Sequence, residues 1–79
     1  MPRFFFNVYD RRGWLHDFEG MEVDPSGLRK CAIEQARSLI CDDVQHGVLD
    51  LRGRIEVTSE ASEIVLVLGF NQVVARVLI

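Results

Sequence analysis

The sequence predicts an α+β domain in which two strands precede one long helix and two strands follow it. An aromatic-rich segment opens the chain, the middle segment repeats apolar residues at helical spacing, and residues 54–60 alternate between apolar and polar. The 79 residues have room for a single domain, residues 1–79. We therefore expect a four-stranded, mainly antiparallel sheet in the order ββαββ, with the helix packed on one face.

The first two strands form a predicted hairpin. Residues 3–9 are rich in aromatic side chains, which is typical of a strand. Asp10 and Gly13 suit a tight turn, and residues 14–23 return as the second strand, with Gly20 as a plausible bulge. Alternate side chains of a strand face opposite ways, so one face receives Phe4, Phe6 and Val8 and the other Phe5, Asn7 and Tyr9.

The helix is predicted from about residue 25 to residue 46. Asp24 and Pro25 mark its start, because the carboxylate caps free N–H groups and proline at the first position loses no hydrogen bond. Gly47 is a natural stop, and His46 before it favours the negative end of the helix. The apolar residues that recur at helical spacing are Leu28, Ala32, Ile33, Ala36, Leu39 and Ile40.

Two more strands follow the helix. Residues 54–60 alternate, with Ile55 and Val57 directed inward, and residues 63–70 form the fourth strand after a turn at residues 59–62. The apolar tail, residues 71–79, fits either a fifth strand or a short helix, because its periodicity does not decide between them.

The predicted sheet carries more apolar residues than one helix can cover. Residues 4–6 are three phenylalanines in succession and residues 64–68 are apolar throughout, a pattern typical of strands buried on both faces. A second copy of the chain, or the tail folded back, would cover the other face, and we favour a homodimer. The candidate self-association surface is Phe5, Tyr9, Val65, Val67, Val74 and Val77.

Charge and composition argue against several classes of partner. The net charge is −3 and the nine basic residues are scattered, so the chain lacks the basic patch of a nucleic-acid binder or of a protein that binds anionic membranes. The start of the chain has no signal-peptide pattern, and the longest apolar run, residues 64–70, is too short to span a bilayer. We expect a cytoplasmic protein with reduced thiols.

Candidate catalytic and metal-binding groups all have simpler explanations. His16 faces away from Asp17 and Glu19 on the predicted second strand, which does not favour a shared metal ion. Asp42 and Asp43 read as solvated residues at the helix end, although they oppose the helix dipole. Cys31 and Cys41 lie roughly 15 Å apart along the helix axis, so they do not form a disulfide within one chain, and no histidine is placed beside either.

The familiar catalytic motifs are absent from the sequence, which has no glycine-rich phosphate loop, CxxC, HExxH or nucleophile elbow. We therefore predict no catalytic, cofactor-binding or metal-binding residues and no cofactor. Phe5 and Tyr9 on a sheet are similar to the stacking platforms of RNA-binding modules, but the second helix and basic flanks of those modules are missing. Packing in a core or an interface is the favoured role of both rings.

The opening Met1-Pro2-Arg3-Phe4-Phe5-Phe6-Asn7-Val8 resembles a family of short bacterial proteins known only as a domain of unknown function. Its members, frequent among alphaproteobacteria such as rhizobia, begin with MPR, aromatic residues and then Asp or Asn. The likeness covers about three quarters of the chain and fades in the last twenty residues. The family has no established activity, so the resemblance implies no catalytic residues. The likeness continues at Asp17, Glu19, Gly20, Glu22, Ala32 and Ala36.

The functional hypothesis from the sequence is a non-enzymatic, self-associating interaction or regulatory module, with a further, unidentified protein partner as an open possibility. The order of hairpin, acidic-glycine segment and helix also resembles antitoxin domains of the HicB type, at the level of the fold alone. An antitoxin-like or nucleic-acid-associated regulator is therefore the alternative. A third hypothesis is a small enzyme that uses Asp17 and Glu19 in a cleft at a dimer interface.

Overall fold

A computed structural model describes residues 1–74 of the chain. It contains one α-helix and five strand segments, with a short 3-10 turn before the helix and another after the last strand. In chain order the elements are β1 (Arg3–Asp10), β2 (Gly13–Leu15), β3 (Met21–Glu22), a 3-10 turn (Pro25–Gly27), α1 (Leu28–Gln45), β4 (Arg54–Thr58), β5 (Ile64–Gly69) and a 3-10 turn (Phe70–Gln72).

The strands form one antiparallel sheet in the order β2-β1-β4-β5, and β3 also pairs with β1. Tyr9 of β1 lies opposite Trp14 of β2 and opposite Arg54 of β4. β4 and β5 pair with a register shift at residues 57 and 58, which makes a bulge on β5. The predicted α+β fold with one helix and an antiparallel sheet is confirmed.

The second predicted strand, residues 14–23, is continuous in the prediction but broken in the structure. β2 pairs with the carboxyl half of β1 and β3 with its amino-terminal end, whereas residues 16–20 lie between them outside the ladder. Gly20 has a φ of 71°, a left-handed conformation that glycine adopts without a steric cost. The predicted bulge at this position is therefore a five-residue loop.

The helix follows the prediction closely. The Asp24 side chain accepts a hydrogen bond from the Ser26 N–H at 3.0 Å, and Pro25 opens a 3-10 turn that leads into α1. At the other end Gly47 has a φ of 80°, which stops the helix as expected. The His46 ring lies 2.8 Å from the Asp42 carbonyl oxygen, at the negative end of the helix.

The core lies between α1 and one face of the sheet. Ala32 and Ala36 are fully buried on the helix, where their small side chains allow it to approach the sheet closely. Phe70 and Val73, after β5, are buried in the same core. The buried apolar side chains that complete it are Phe4, Phe6, Val8, Val23, Leu28, Ile55, Val57 and Leu68.

The described part of the tail lies on the helix side of the sheet. The Arg37 Nε donates a hydrogen bond of 2.9 Å to the Val73 carbonyl oxygen, and Val74 lies beside Ile40 and Cys41. Residues 70–74 therefore do not cover the far face of the sheet, which was one of the two predicted covers. Residues 75–79, including Val77, lie outside the described residues.

The prediction that Asp43 is a solvated residue at the helix end is wrong. Its side chain is buried, and its carboxylate accepts a hydrogen bond of 2.8 Å from Arg11 Nη1. Arg12 lies 3.9 Å from the same carboxylate and 2.6 Å from that of Asp10, which is also buried. These pairs join the tip of the β1–β2 hairpin to the end of α1, and they explain a carboxylate that opposes the helix dipole.

Candidate functional site

The face of the sheet turned away from α1, which we call the open face, is mixed rather than apolar. On β1 it carries Phe5, Asn7 and Tyr9, and β5 contributes Val67. The central strand β4 contributes only polar side chains, which are Arg54, Glu56 and Thr58. The prediction that both faces of the sheet require an apolar cover is therefore wrong for the middle of this face.

Hydrogen bonds and an ion pair hold the polar middle of the open face. The Arg54 Nε donates to Glu56 Oε2 at 2.6 Å. The buried Asn7 donates its Nδ2 to the Glu56 carbonyl oxygen at 3.3 Å and to Thr58 Oγ1 at 3.4 Å. Two such faces packed against each other would bury charged groups, which costs free energy unless new partners are found.

An aromatic row runs along one side of the open face. The ring centroids of Tyr9 and Trp14 are 5.8 Å apart, those of Trp14 and His16 are 5.4 Å apart, and those of His16 and Phe18 are 6.0 Å apart. The Arg54 guanidinium lies 4.5 Å from the centroid of Tyr9, in a cation–π contact. Phe18, at the far end of the row, is 87% exposed.

The loop of residues 16–20 is fastened to β1 by the side chain of Asp17. Its carboxylate accepts hydrogen bonds from the backbone N–H groups of Phe6 at 3.0 Å, Gly20 at 3.0 Å and Glu19 at 3.2 Å. Its own N–H donates to Asn7 Oδ1 at 2.9 Å. The carboxylate thus takes the place of a strand partner at the middle of β1.

The pKa of Asp17 reflects these contacts. Burial by itself raises the pKa of this carboxyl group, but the N–H donors of Phe6, Gly20 and Glu19, with help from Arg3, lower it below its ordinary value of 3.8. The group is ionised at neutral pH and its acceptor capacity is used within the fold. This does not favour Asp17 as a catalytic acid or base.

The residues that carry the family resemblance meet at this loop. The Arg3 guanidinium donates to the Glu19 carbonyl oxygen at 2.8 Å and lies 3.5 Å from the Glu22 carboxylate. A side chain at Gly20 would approach the Phe4 carbonyl oxygen to 2.9 Å. Arg3, Glu19, Gly20 and Glu22 of the family resemblance thus hold the loop against the edge of the sheet. We call this edge, made of β2, residues 16–20 and β3, the closed edge.

The opposite edge of the sheet is built differently. Within residues 1–74 no strand pairs with the outer side of β5, and residues 64–69 contain no proline and no charged side chain. The Phe70 N–H donates to the Gly53 carbonyl oxygen at 2.9 Å, so in the alternating antiparallel pattern the N–H and C=O groups of Val67 and Gly69 point away from β4. The exposed apolar side chains on this strand, which we call the β5 edge, are Ile64, Val65 and Val67.

The predicted self-association surface is brought together only in part. Phe5, Tyr9 and Val67 lie on the open face, and Val65 lies beside them at the bulge of β5. Val74 lies on the helix side of the sheet, beside Ile40 and Cys41. Its neighbour Val73 is buried in the core. Val74 is therefore not brought together with the other four described residues of that surface.

A groove of about 530 Å³ crosses the open face between the aromatic row and the turn that joins β4 to β5. Trp14, His16 and Phe18 form one wall of the groove, and Ile64 lies at the opposite wall. Trp14, Phe18 and Ile64 were not predicted from the sequence as site residues. The spacing of residues 14, 16 and 18 is the signal that was available. Phe5 and Asn7 form part of the floor.

The remaining candidate residues are not brought into one site. Cys31 is half-buried against the core, Cys41 is exposed, and both are free thiols. Among residues 1–74 no three histidine, cysteine, aspartate or glutamate side chains are placed to hold a metal ion. None of the helices in that part of the chain has the length and apolar character needed to cross a membrane.

A family model described as Domain of unknown function (DUF6894) matches residues 3–71. This match confirms the predicted resemblance to a family of unknown function. Neither the curated proteins nor the solved structures contain a match to the chain.

Proposed function

We propose that this chain, which belongs to the Domain of unknown function (DUF6894) family, is a non-enzymatic module that self-associates by pairing two copies of the β5 edge. The observation that carries this proposal is an apolar edge strand with which no strand pairs on its outer side within residues 1–74. Of its outward backbone groups, the Gly69 N–H donates to Gln72 Oε1 at 2.7 Å, so Val67 is the position that a second strand would pair. Such edges are templates for another strand, and proteins that keep them unpaired usually protect them with charge, proline or a covering segment. Residues 64–69 have no charge and no proline.

The N–H and C=O groups of β5 that point away from β4 also define the register in which two copies would pair. A two-fold axis at Val67 places each Val67 opposite its counterpart, so that both exchange N–H···O=C hydrogen bonds. In the same register Gly69 faces position 65 of the second copy. The Val67 side chains then lie side by side on the open face, where a pair of β-branched residues stabilises antiparallel strands.

The polar middle of the open face, formed by Arg54, Glu56 and Thr58 of β4, favours this edge-to-edge arrangement over packing of one open face on another. Joining the edges buries Ile64, Val65 and Val67 and does not cover the ion pair of Arg54 and Glu56 on β4. An interface of one strand is small, because stable complexes usually bury about 1,200 Å² or more. We therefore expect a weak dimer whose population depends on concentration over roughly 10 µM to 1 mM chain.

The test is analytical ultracentrifugation of the full chain and of Val67→Lys over that concentration range. Two lysines opposed at the two-fold axis repel each other, so we expect the dissociation constant to rise by about tenfold or more. Val44→Lys is the matched control, because Val44 on the helix is 52% exposed and Val67 is 51% exposed. A native chain that stays monomeric throughout, or a Val67→Lys variant that dimerises like the control, would show the proposal to be wrong.

The antitoxin-like alternative stays a prediction from the sequence. Binding to DNA that weakens as salt is raised would favour it. The third hypothesis, an enzyme that uses Asp17 and Glu19, is not favoured, since the Asp17 carboxylate is engaged by three backbone donors.

A further inference from the structure

We propose that the groove on the open face is a second binding site, which takes a basic peptide segment and places a lysine or arginine side chain between the aromatic row and Glu60. The groove lies within one chain, and Ile64 is the one lining residue that it shares with the proposed dimer contact. Its volume of about 530 Å³ falls in the range of sites that hold small ligands or side chains.

The charge of the groove selects a cation. Among the described residues that line it are three carboxylates, those of Asp17, Glu56 and Glu60, and no lysine or arginine. Asp17 is occupied by backbone donors, and Glu56 is paired with Arg54. Glu60 accepts one hydrogen bond through its Oε1, from the Arg3 N–H at 3.1 Å, so its second oxygen is available to a ligand.

The aromatic wall suits the same ligand. One end of the row already holds a cation of the chain itself, since the Arg54 guanidinium lies 4.5 Å from the Tyr9 centroid and 5.8 Å from that of Trp14. The other end, at His16 and Phe18, has no such contact among residues 1–74. Phe18 is 87% exposed, and a cation over its face would cover part of that ring.

The wall is held in place before any ligand arrives. Asp17 lies between His16 and Phe18 in the chain, and its four hydrogen bonds fix the backbone of the loop against β1. A rigid binding surface loses less conformational entropy when the ligand binds. The loop therefore presents Phe18 to solvent in a defined position, at some cost in exposed apolar area.

Trp14 supplies the measurement, because it is the single tryptophan of the chain and lines the groove. We would titrate about 1 µM chain, below the range of the dimer, with acetylated and amidated tetra-arginine and follow the fluorescence. A saturable change that weakens as salt is raised is expected. Tetraglutamate of the same length should produce none.

Two variants locate the site. Phe18→Ala and Glu60→Gln should each weaken tetra-arginine binding by about three- to fivefold, the size expected for exposed cation–π and ion-pair contacts. Glu63→Gln is the control, as it removes a carboxylate from the same turn without changing the lining of the groove. Equal binding of both peptides, or unchanged binding by both variants, would overturn the proposal. Because the dimer is measured separately, failure of one proposal is distinguishable from failure of the other.

Discussion

The two edges of this sheet differ in what lies beside the outer backbone groups of their last long strand. At the closed edge the partner strand is short and broken, and the Asp17 carboxylate accepts the Phe6 N–H that a strand would otherwise pair. At the β5 edge the strand runs for six residues, from Ile64 to Gly69, with three exposed apolar side chains. One polar side chain and a loop are enough to end the sheet at the closed edge. At the β5 edge a side chain, that of Gln72, accepts only the Gly69 N–H, which leaves Val67 in a strand that can be extended.

The largest effect should come from removing the carboxylate that closes the first edge. Asp17→Ala leaves three backbone donors without their acceptor, and we expect the free energy of unfolding to fall by about 2–3 kcal/mol. For a domain of this size that is a decrease in Tm of roughly 10 °C or more. Thermal unfolding followed by circular dichroism measures it.

Glu19→Ala is the control for that change, because the contact of Glu19 with Arg3 is made by its backbone carbonyl oxygen. Its Tm should stay close to that of the native chain. Equal losses in both variants would contradict the role assigned to Asp17. A greater tendency of Asp17→Ala to self-associate would sharpen the comparison, since its β1 edge would then resemble β5.

A smaller loss of stability is expected from a substitution at Gly20, where the loop returns to β1. Gly20→Ala introduces a Cβ at a φ of 71°, only 2.9 Å from the Phe4 carbonyl oxygen. The left-handed conformation and this contact together should cost about 2 kcal/mol. Gly27→Ala is the matched control, as nothing lies within 4 Å of a Cβ there and its φ is −99°. Denaturant unfolding compares the two, and a Gly20→Ala variant as stable as Gly27→Ala would refute the close approach of β3 to β1.

The smallest effect is a dependence on acid pH. The pKa of Asp17 is lower in the folded chain than its ordinary value of 3.8, so ionised Asp17 stabilises the fold above about pH 4 and this stabilisation is lost as the pH falls below it. The slope of stability against pH between about 2 and 4 should therefore be shallower in Asp17→Ala than in the native chain. Asp10, whose pKa is lowered chiefly by its hydrogen bond to the Arg12 side chain, keeps some slope in both. Parallel curves would contradict this assignment.

The helix and three of the strands were predictable because their signals are local. Asp24, Pro25 and Gly47 mark the ends of the helical segment. Aromatic content marks β1, alternation marks β4 and an apolar run marks β5. The break in the second strand was not predictable from periodicity, since it depends on a hydrogen bond from Phe6 to a side chain eleven positions away. Patterns of hydrophobicity do not register such a bond.

The candidate surfaces depended on contacts between distant segments. The buried state of Asp43 follows from Arg11, which lies 32 positions earlier in the chain. The polar middle of the open face could be read strand by strand, but only the register of Asn7 opposite Glu56 shows that the polar residues form one stripe. Val65 and Val67 were predicted from the apolar run of residues 64–68 as part of a self-association surface, and that role stays a prediction. The aromatic row depends on the geometry of the loop.

The placement of α1 on a single face has a consequence for ligands with two binding groups. When antiparallel edges join in one continuous sheet, the symmetry axis stands perpendicular to that sheet, so both helices lie on one side and both grooves open on the other. A flexible molecule with two basic segments would then bind the second groove at a high effective concentration. Avidity of this kind would allow a weak dimer and a weak groove to act together as a strong receptor.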